Sequence, residues 1–257
     1  EEQSVTETTA GVTAYRAARD LLVRHREDYT ALESSFTWPD VGSRFNWATD
    51  WFDVVAQGNS RTALRIVGDD GSDESYSFAE MAERSDRVAT WLAQCGVSAG
   101  DRVMLMLGNQ VELWESMLAV MKLGAVILPA TMALGPKDLA DRLARGGVRH
   151  VITNADQAGK FSDIPGDYGR IAIGDATPPW RRYDEARGIA CPGRFAPANA
   201  ADDAMLVYFT SGTTSHPKLV EHTHRSYPVG HLSTMYFVGL RPGDVHLNIS
   251  SPGWAKH

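Results

Sequence analysis

The feature that most constrains the fold of this chain is an alternation. Between residues 61 and 153, short apolar runs take turns with longer segments whose apolar residues recur at helical spacing. Arg61 to Val67 reads as a strand, Asp69-Asp70-Gly71-Ser72 as a turn, and Glu74-Ser75-Tyr76 as its return. Ser77, with Glu80 three residues on, forms a capping box for a helix through Met81, Val88, Trp91 and Leu92, which Gly96 stops. Arg102 to Leu107 is a buried strand. Asn109 caps a helix from Gln110 to Leu123, with Glu112 as an acid in its first turn, and Gly124 ends it. Ala125 to Leu128 is the next strand. Pro136 opens a helix to about Arg145, Gly146-Gly147 stops it, and Val148 to Thr153 is a strand again. Strand, helix, strand, helix, strand specifies a parallel α/β sheet with right-handed crossovers. Ligands of such sheets sit beyond the carboxyl ends of strands.

One stretch stands at such an end. The apolar run Met205 to Phe209 reads as a buried strand. It is followed by Thr210-Ser211-Gly212-Thr213-Thr214-Ser215, then His216-Pro217-Lys218, then a second β-like segment, Leu219-Val220-Glu221-His222. Two readings fit the hydroxyl-rich loop. Residues of this kind commonly make plain solvated turns. They also suit an anion, because small residues let backbone N–H groups crowd round it while hydroxyls and one ammonium add donors. Each good hydrogen bond to a charged oxygen contributes roughly 1.5–3 kcal/mol net, so four or five would hold a triphosphate. The loop is not of the Walker A type. The chain's only Gly-Lys, Gly159-Lys160, is followed by Phe161, and no Gly-x-Gly-x-x-Gly occurs.

Tyr208-Phe209-Thr210-Ser211-Gly212-Thr213-Thr214, then Pro217-Lys218, resembles the signature of the adenylate-forming family of acyl-CoA synthetases, luciferases and adenylation domains. The resemblance covers most of the chain. Tyr76-Ser77-Phe78-Ala79-Glu80-Met81, Gly96-Val97, Gly100-Asp101-Arg102-Val103, Leu123-Gly124-Ala125-Val126 and Arg241-Pro242-Gly243-Asp244-Val245 are similar to the family's other patterns. Phe45-Asn46-Trp47, Ile127-Leu128-Pro129-Ala130-Thr131 and Lys218 with Glu221-His222 look most like medium-chain acyl-CoA synthetases. One position departs, since Ser215 stands where the family usually has Gly. If that position needs a positive φ, Ser costs on the order of 1–2 kcal/mol.

The resemblance implies a layered α/β fold with mostly parallel sheets flanked by helices, as in the N-terminal part of the family's large domain. It divides the chain into an N-terminal arm and helix over residues 1–44 and the first part of an adenylating domain over 45–257. It implies an ATP-dependent fatty acid–CoA ligase that forms acyl-AMP and then acyl-CoA, with Mg²⁺ and coenzyme A taking part. Thr210, Ser211, Gly212, Thr213, Thr214, Ser215 and Lys218 would hold ATP, and Lys218 would act in catalysis. Trp254 and His257, in the closing Gly253-Trp254-Ala255-Lys256-His257, would touch the carboxylic acid, although Ser251-Pro252 replaces an Asp common in relatives. Trp254 is equally read as a core aromatic. The family's later motifs, including its Mg²⁺-holding Glu and its C-terminal lysine, have no counterpart in these residues. The expectation is the first half of an enzyme, inactive without its C-terminal half. A non-catalytic nucleotide-binding or interaction module with a decayed loop is the rival from another class. An aryl-CoA ligase or carrier-protein adenylation domain is the rival within the class.

The remaining residues set bounds. A helix is expected from about Ala14 to Arg26 as a packing arm, and another over Phe45 to Gln57 with Trp47, Trp51, Phe52 and Val55 on one face. Prolines interrupt 159–200, where Ile171 to Ile173 reads as a short strand. Ser226 to Val238 reads as a helix with Pro228 in its first turn. His222 and His224 would share a face of a strand, yet no Cys lies near and Glu221 points away, so no metal site is assigned. The net charge of −7 argues against a general nucleic-acid binder. Two distant cysteines, Cys95 and Cys191, make neither a disulfide framework nor a metal quartet, and Cys95 reads as core. No apolar run approaches the ~20 residues of a membrane span, and the chain reads as cytoplasmic.

Overall fold

The computed structural model describes residues 10–190, 193, 195–196, 199–210, 217–247 and 249–253. In chain order the helices and strands are α1 (Ala10–Arg24), α2 (Tyr29–Ser35), α3 (Asp53–Ala56), β1 (Thr62–Val67), β2 (Asp73–Ser77), α4 (Phe78–Gln94), β3 (Arg102–Met106), α5 (Val111–Lys122), β4 (Val126–Pro129), α6 (Pro136–Gly146), β5 (Val148–Asn154), β6 (Gly169–Ile173), β7 (Arg181–Arg182), β8 (Ala204–Thr210), β9 (Lys218–Thr223) and α7 (Ser226–Val238). Strands β3 to β9 form one sheet in the order β7-β6-β5-β3-β4-β8-β9. Every pairing in it is parallel except the last, where β9 runs antiparallel to β8. β1 and β2 make a separate antiparallel pair.

Strand alternation divides the core between the two faces of this sheet. Val103, Leu105, Ile127 and Ile152 pack with Val88, Leu92 and Leu118 of α4 and α5. Met104, Met106, Leu128 and Val151 point the other way, towards Leu139 and Leu143 of α6. A strand covered on both faces has no place for polar residues, so β3 and β4 read as unbroken apolar runs.

The helix starts follow local chemistry. Ser77 caps α4, its Oγ accepting from the Glu80 N–H at 3.2 Å while the Glu80 carboxylate accepts from the Ser77 N–H at 2.7 Å. Pro136 occupies the first turn of α6, and Gly147 closes that helix at φ 58°, in the left-handed region glycine adopts without strain. Two expectations are corrected. Asn109 does not cap α5; Gln110 holds that place, without a side-chain capping bond. The Gln110 side chain is engaged elsewhere, donating to Glu112 and accepting from Asn154. The aromatic helix over Phe45 to Gln57 is a π-helical turn, Trp47–Phe52, that runs into α3. Asn46 sets it, since its Oδ1 accepts from the Ala48 and Thr49 N–H groups while its amide donates to Met121 O and Asn199 Oδ1.

The N-terminal helix is already formed at Ala10, ahead of its expected Ala14, and behaves as a packing arm. Val12, Tyr15, Ala18 and Leu22 share a cluster with Phe45 and Leu232 of α7, and the Tyr15 hydroxyl donates to Pro228 O at 3.2 Å. Among the described residues, no helix is long and apolar enough to cross a membrane.

Candidate functional site

β8 is buried along its length, with Met205, Leu206, Val207, Tyr208 and Phe209 all inside. It joins the parallel part of the sheet through Ile127 and Leu206. On its other side it makes a hairpin with β9, in which Thr210 stands opposite Lys218. Thr210 Oγ1 donates to the Lys218 carbonyl at 3.4 Å. The hydroxyl-rich loop therefore leaves the sheet and returns to it at one rung of one ladder, at the carboxyl end of β8. That is where a parallel sheet presents backbone N–H groups to a ligand. Lys218 is the first residue of an edge strand and is exposed. Ser211, Gly212, Thr213, Thr214 and Ser215 lie outside the described residues.

Two arginines of α6 brace this loop, and the sequence reading did not single them out. Arg145 Nη2 donates to Pro217 O at 2.6 Å, one residue before Lys218. Arg142 and Arg145 also lie over the Phe209 ring, with guanidinium carbons 4.8 and 5.6 Å from its centre. Their spacing of three on one helix is the signal, and it becomes meaningful once α6 is known to cross beneath β8.

The closing segment comes to the same end of the sheet. Gly253 has a φ of 95°, and a Cβ there would lie 2.4 Å from Thr131 N and 2.6 Å from Ala130 C. The backbone before Trp254 thus runs flush against the residues that leave β4, the strand next to β8. Trp254 and His257 themselves lie outside the described residues.

Rings gather behind the loop. Tyr208 and Tyr227 hydroxyls are 3.4 Å apart, and His222 meets both rings while Tyr227 meets His231 at a tilt, with centroids 4.3 Å apart. Burial, with the Tyr227 hydroxyl second, raises the Tyr208 hydroxyl above the usual phenol range. Burial and then the neighbouring His222 lower His231. The shared strand face expected of His222 and His224 does not form, because β9 ends at Thr223 and His224 turns into the interior beside Asp203. Among the described residues, no group of three or more His, Cys, Asp or Glu is placed to hold a metal ion.

A sheet of this order with a hairpin loop of this composition invites comparison with known proteins. The family model described as "AMP-binding enzyme" matches residues 51–255. The chain belongs to that family. "Acyl-coenzyme A synthetase ACSM5, mitochondrial" of Rattus norvegicus is 32% identical over 229 residues, which cover 84% of this chain and 40% of that protein. "4-Hydroxybutyrate--CoA ligase 1" of Metallosphaera sedula is 33% identical over 219 residues, 83% of this chain and 38% of that one. Among solved structures, an acyl-CoA synthetase of Brucella canis superposes with a TM-score of 0.68 at 29% identity, covering 76% of this chain and 36% of its own. The chain thus spans about 40% of the length of the curated relatives it matches. The α/β architecture and the adenylate-forming kinship expected from the sequence both hold.

Proposed function

We propose that this chain carries the phosphate-gripping part of an AMP-forming acid–CoA ligase. The observation that supports the reading best is the β8–β9 hairpin. It sets Thr210 opposite Lys218 at the carboxyl end of the sheet, inside the stretch that matches AMP-binding enzymes. Residues 45–257 would form the first part of the adenylating domain, with residues 1–44 as its packing arm.

The reaction runs in two steps. A carboxylate oxygen attacks the α-phosphorus of ATP, the bond to the bridging oxygen breaks, and pyrophosphate leaves. The thiolate sulfur of coenzyme A then attacks the acyl carbon and AMP leaves. A carboxylate is already a nucleophile, so positioning and charge stabilisation do the work. Thr210, Ser211, Gly212, Thr213, Thr214, Ser215 and Lys218 would surround the β- and γ-phosphates, and the Lys218 ammonium would offset charge on the leaving pyrophosphate. Arg145 would hold the loop's return in place through Pro217 O. Trp254 and His257 would line the acid's pocket, delivered there by the close packing of Gly253 on Thr131. The described donors do not make a Mg²⁺ site, so no step is assigned to that ion.

The acid is a medium-chain carboxylate by the patterns at Phe45-Asn46-Trp47 and Ile127 to Thr131. The relative named for 4-hydroxybutyrate makes a short hydroxy acid the first competitor. Benzoate tests the aryl alternative. The cytoplasmic location stands as a proposal beside relatives named mitochondrial, and cell fractionation decides it. Ser215 supports a second reading, a nucleotide-binding or interaction module without catalysis.

ATP–pyrophosphate exchange separates these readings. The polypeptide carrying these residues is assayed with straight-chain acids from acetate to dodecanoate, 4-hydroxybutyrate and benzoate. Exchange peaking at one acid is expected, and Gly212→Val abolishes it with an unchanged circular dichroism spectrum. Loss of one donor from such an anion hole costs ~10²–10³ in rate. Exchange unaffected by Gly212→Val would remove the loop from the site, and no exchange with any acid favours the module.

A further inference from the structure

A second, smaller place for an anion lies at the opposite end of the sheet. Cys95, His150, Tyr168, Gly169, Arg170, Pro179 and Arg181 line an open hollow of about 170 Å³. The strands run parallel, and His150 and Gly169 pair at the amino-terminal ends of β5 and β6. The hollow is therefore remote from the Thr210–Lys218 hairpin, which stands at carboxyl ends. Its volume is several times what one water needs, enough for a tetrahedral oxyanion.

Two arginines here lack the partners arginines usually take. Arg181 Nη1 donates to the Cys95 thiol at 3.1 Å, a weak acceptor, and Cys95 itself is half-buried at the end of α4, packed against the core. Arg170 lies over the Tyr168 ring at 4.0 Å and makes only long bonds, 3.4 Å to Tyr168 O and 3.5 Å to Gly166 O. Neither is ion-paired with a carboxylate among the described residues. Planar, weakly hydrated guanidinium groups in this state match the oxygens of a phosphate group.

The same hollow holds an orphan. His150 is 8% exposed, and its Nδ1 has no hydrogen-bond partner. Its other nitrogen faces Asp101 Oδ2 at 3.6 Å. A buried polar atom without a partner marks a place where a group is missing. Gly169 packs its backbone against this ring, since a Cβ there would lie 2.3 Å from Nδ1.

We propose that this hollow binds a phosphate group, free or at the end of a small monoester, between Arg170 and Arg181 with a hydrogen bond to His150 Nδ1. That bond needs one proton. Either a P–OH donates to the neutral imidazole, or the imidazole takes the proton and donates to the dianion. Burial is the first influence on this proton and lowers His150, Asp101 favours the proton and Arg149 opposes it, while Arg170 and Arg181 line the same hollow. Cys95 stays a thiol, since burial pushes it up. Affinity for glycerol 3-phosphate, whose dianion has no P–OH, is therefore expected to fall as pH rises from about 6 to 8, whereas inorganic phosphate keeps a P–OH over that range.

The full chain is titrated calorimetrically with inorganic phosphate and with glycerol 3-phosphate, and His150 is followed by imidazole ¹⁵N NMR. Saturable binding is expected, with the Nδ1 resonance moving and the tighter probe naming the source. Arg181→Glu and Arg170→Gln, both near the surface, each weaken it at least tenfold. Gly212→Val leaves it unchanged. Binding lost in Gly212→Val but kept in both arginine variants would assign the anion to the hairpin loop and overturn the proposal. So would the absence of binding at tens of millimolar phosphate. In His150→Gln, which cannot carry the proton, the fall in glycerol 3-phosphate affinity with pH is expected to disappear, leaving only the titration of the monoester itself, and a retained fall counts against the imidazole.

Discussion

At the scale of residues, the most exposed liability is the most buried histidine. His224 has no accessible surface, and neither ring nitrogen has a hydrogen-bond partner among the described residues. Burial, against a smaller opposing pull from Asp203, lowers it from 6.5 to about 4. The folded state thus resists a proton that the unfolded chain accepts. The stability this neutral imidazole contributes is complete above pH 6.5 and is lost as pH falls towards 4. The loss amounts to about 3 kcal/mol from a shift of this size. Urea unfolding at pH 8 and pH 5 measures about 2 kcal/mol of it, the part already lost by pH 5. His224→Leu is expected to be close to neutral at pH 8 and to lose much less at pH 5; equal losses in both proteins would assign the acid sensitivity elsewhere. Gly253 is constrained in a different way. Its φ of 95° and its contact with Thr131 leave no room for a side chain, so Gly253→Ala must push the closing segment off β4. In the longer polypeptide this is expected to raise KM for the acid at least tenfold while ATP binding changes little. An unchanged KM would separate this segment from the acid pocket. Neither constraint was legible beforehand. Histidine is ambiguous in a sequence, and the need for Gly253 arises from a contact with residues more than a hundred positions away.

At the scale of elements, what was legible is what is locally determined. The capping box at Ser77, the proline start and glycine stop of α6, and the buried runs of β3, β4 and β8 all stand where side-chain chemistry and hydrophobic spacing put them. The failures share a cause. Asn109 resembles a cap by type, yet the helix begins one residue later, and Gln110 takes the position without a side-chain bond because Glu112 and Asn154 hold its amide. Asn46 caps a π-helical turn because Met121 and Asn199 hold its amide from outside the segment. No window of local sequence contains that information. The capping box offers a test of how much local chemistry contributes. Ser77→Ala removes the bond to the Glu80 N–H and is expected to cost about 1 kcal/mol. Glu80→Gln, which can still reach back, costs less. Thermal unfolding of the two variants checks the order; a Ser77→Ala protein with unchanged Tm would mean that the tertiary packing of Met81, Val88 and Leu92 alone sets the helix start.

At the scale of the molecule, alternating apolar and helical segments were enough to expect a parallel sheet with its ligand loop at a carboxyl end. They were not enough to place β9, which turns back antiparallel on β8 and becomes the sheet's edge. That edge leaves a consequence for the chain in solution. Leu219 and Val220 on β9 are partly exposed, and Phe237, Val245, Leu247 and Ile249 are exposed by 80–97%. The last three stand at every second position, the period of a strand with one apolar face. Scattered exposed apolar residues are ordinary, but several close in sequence, in a chain that also has an unpaired strand edge, favour association. The net charge of −7 opposes such association at low salt and is screened within about 10 Å at 0.1 M. The 257-residue chain alone is therefore expected to self-associate reversibly, more strongly as salt is raised. Sedimentation velocity at two salt concentrations measures this. The triple variant V245S, L247S, I249S is expected to stay monomeric with its Tm within a degree or two, because none of the three side chains is buried. If the parent chain is monomeric in high salt, this surface is not adhesive. If the variant loses stability, the three side chains are packed in solution.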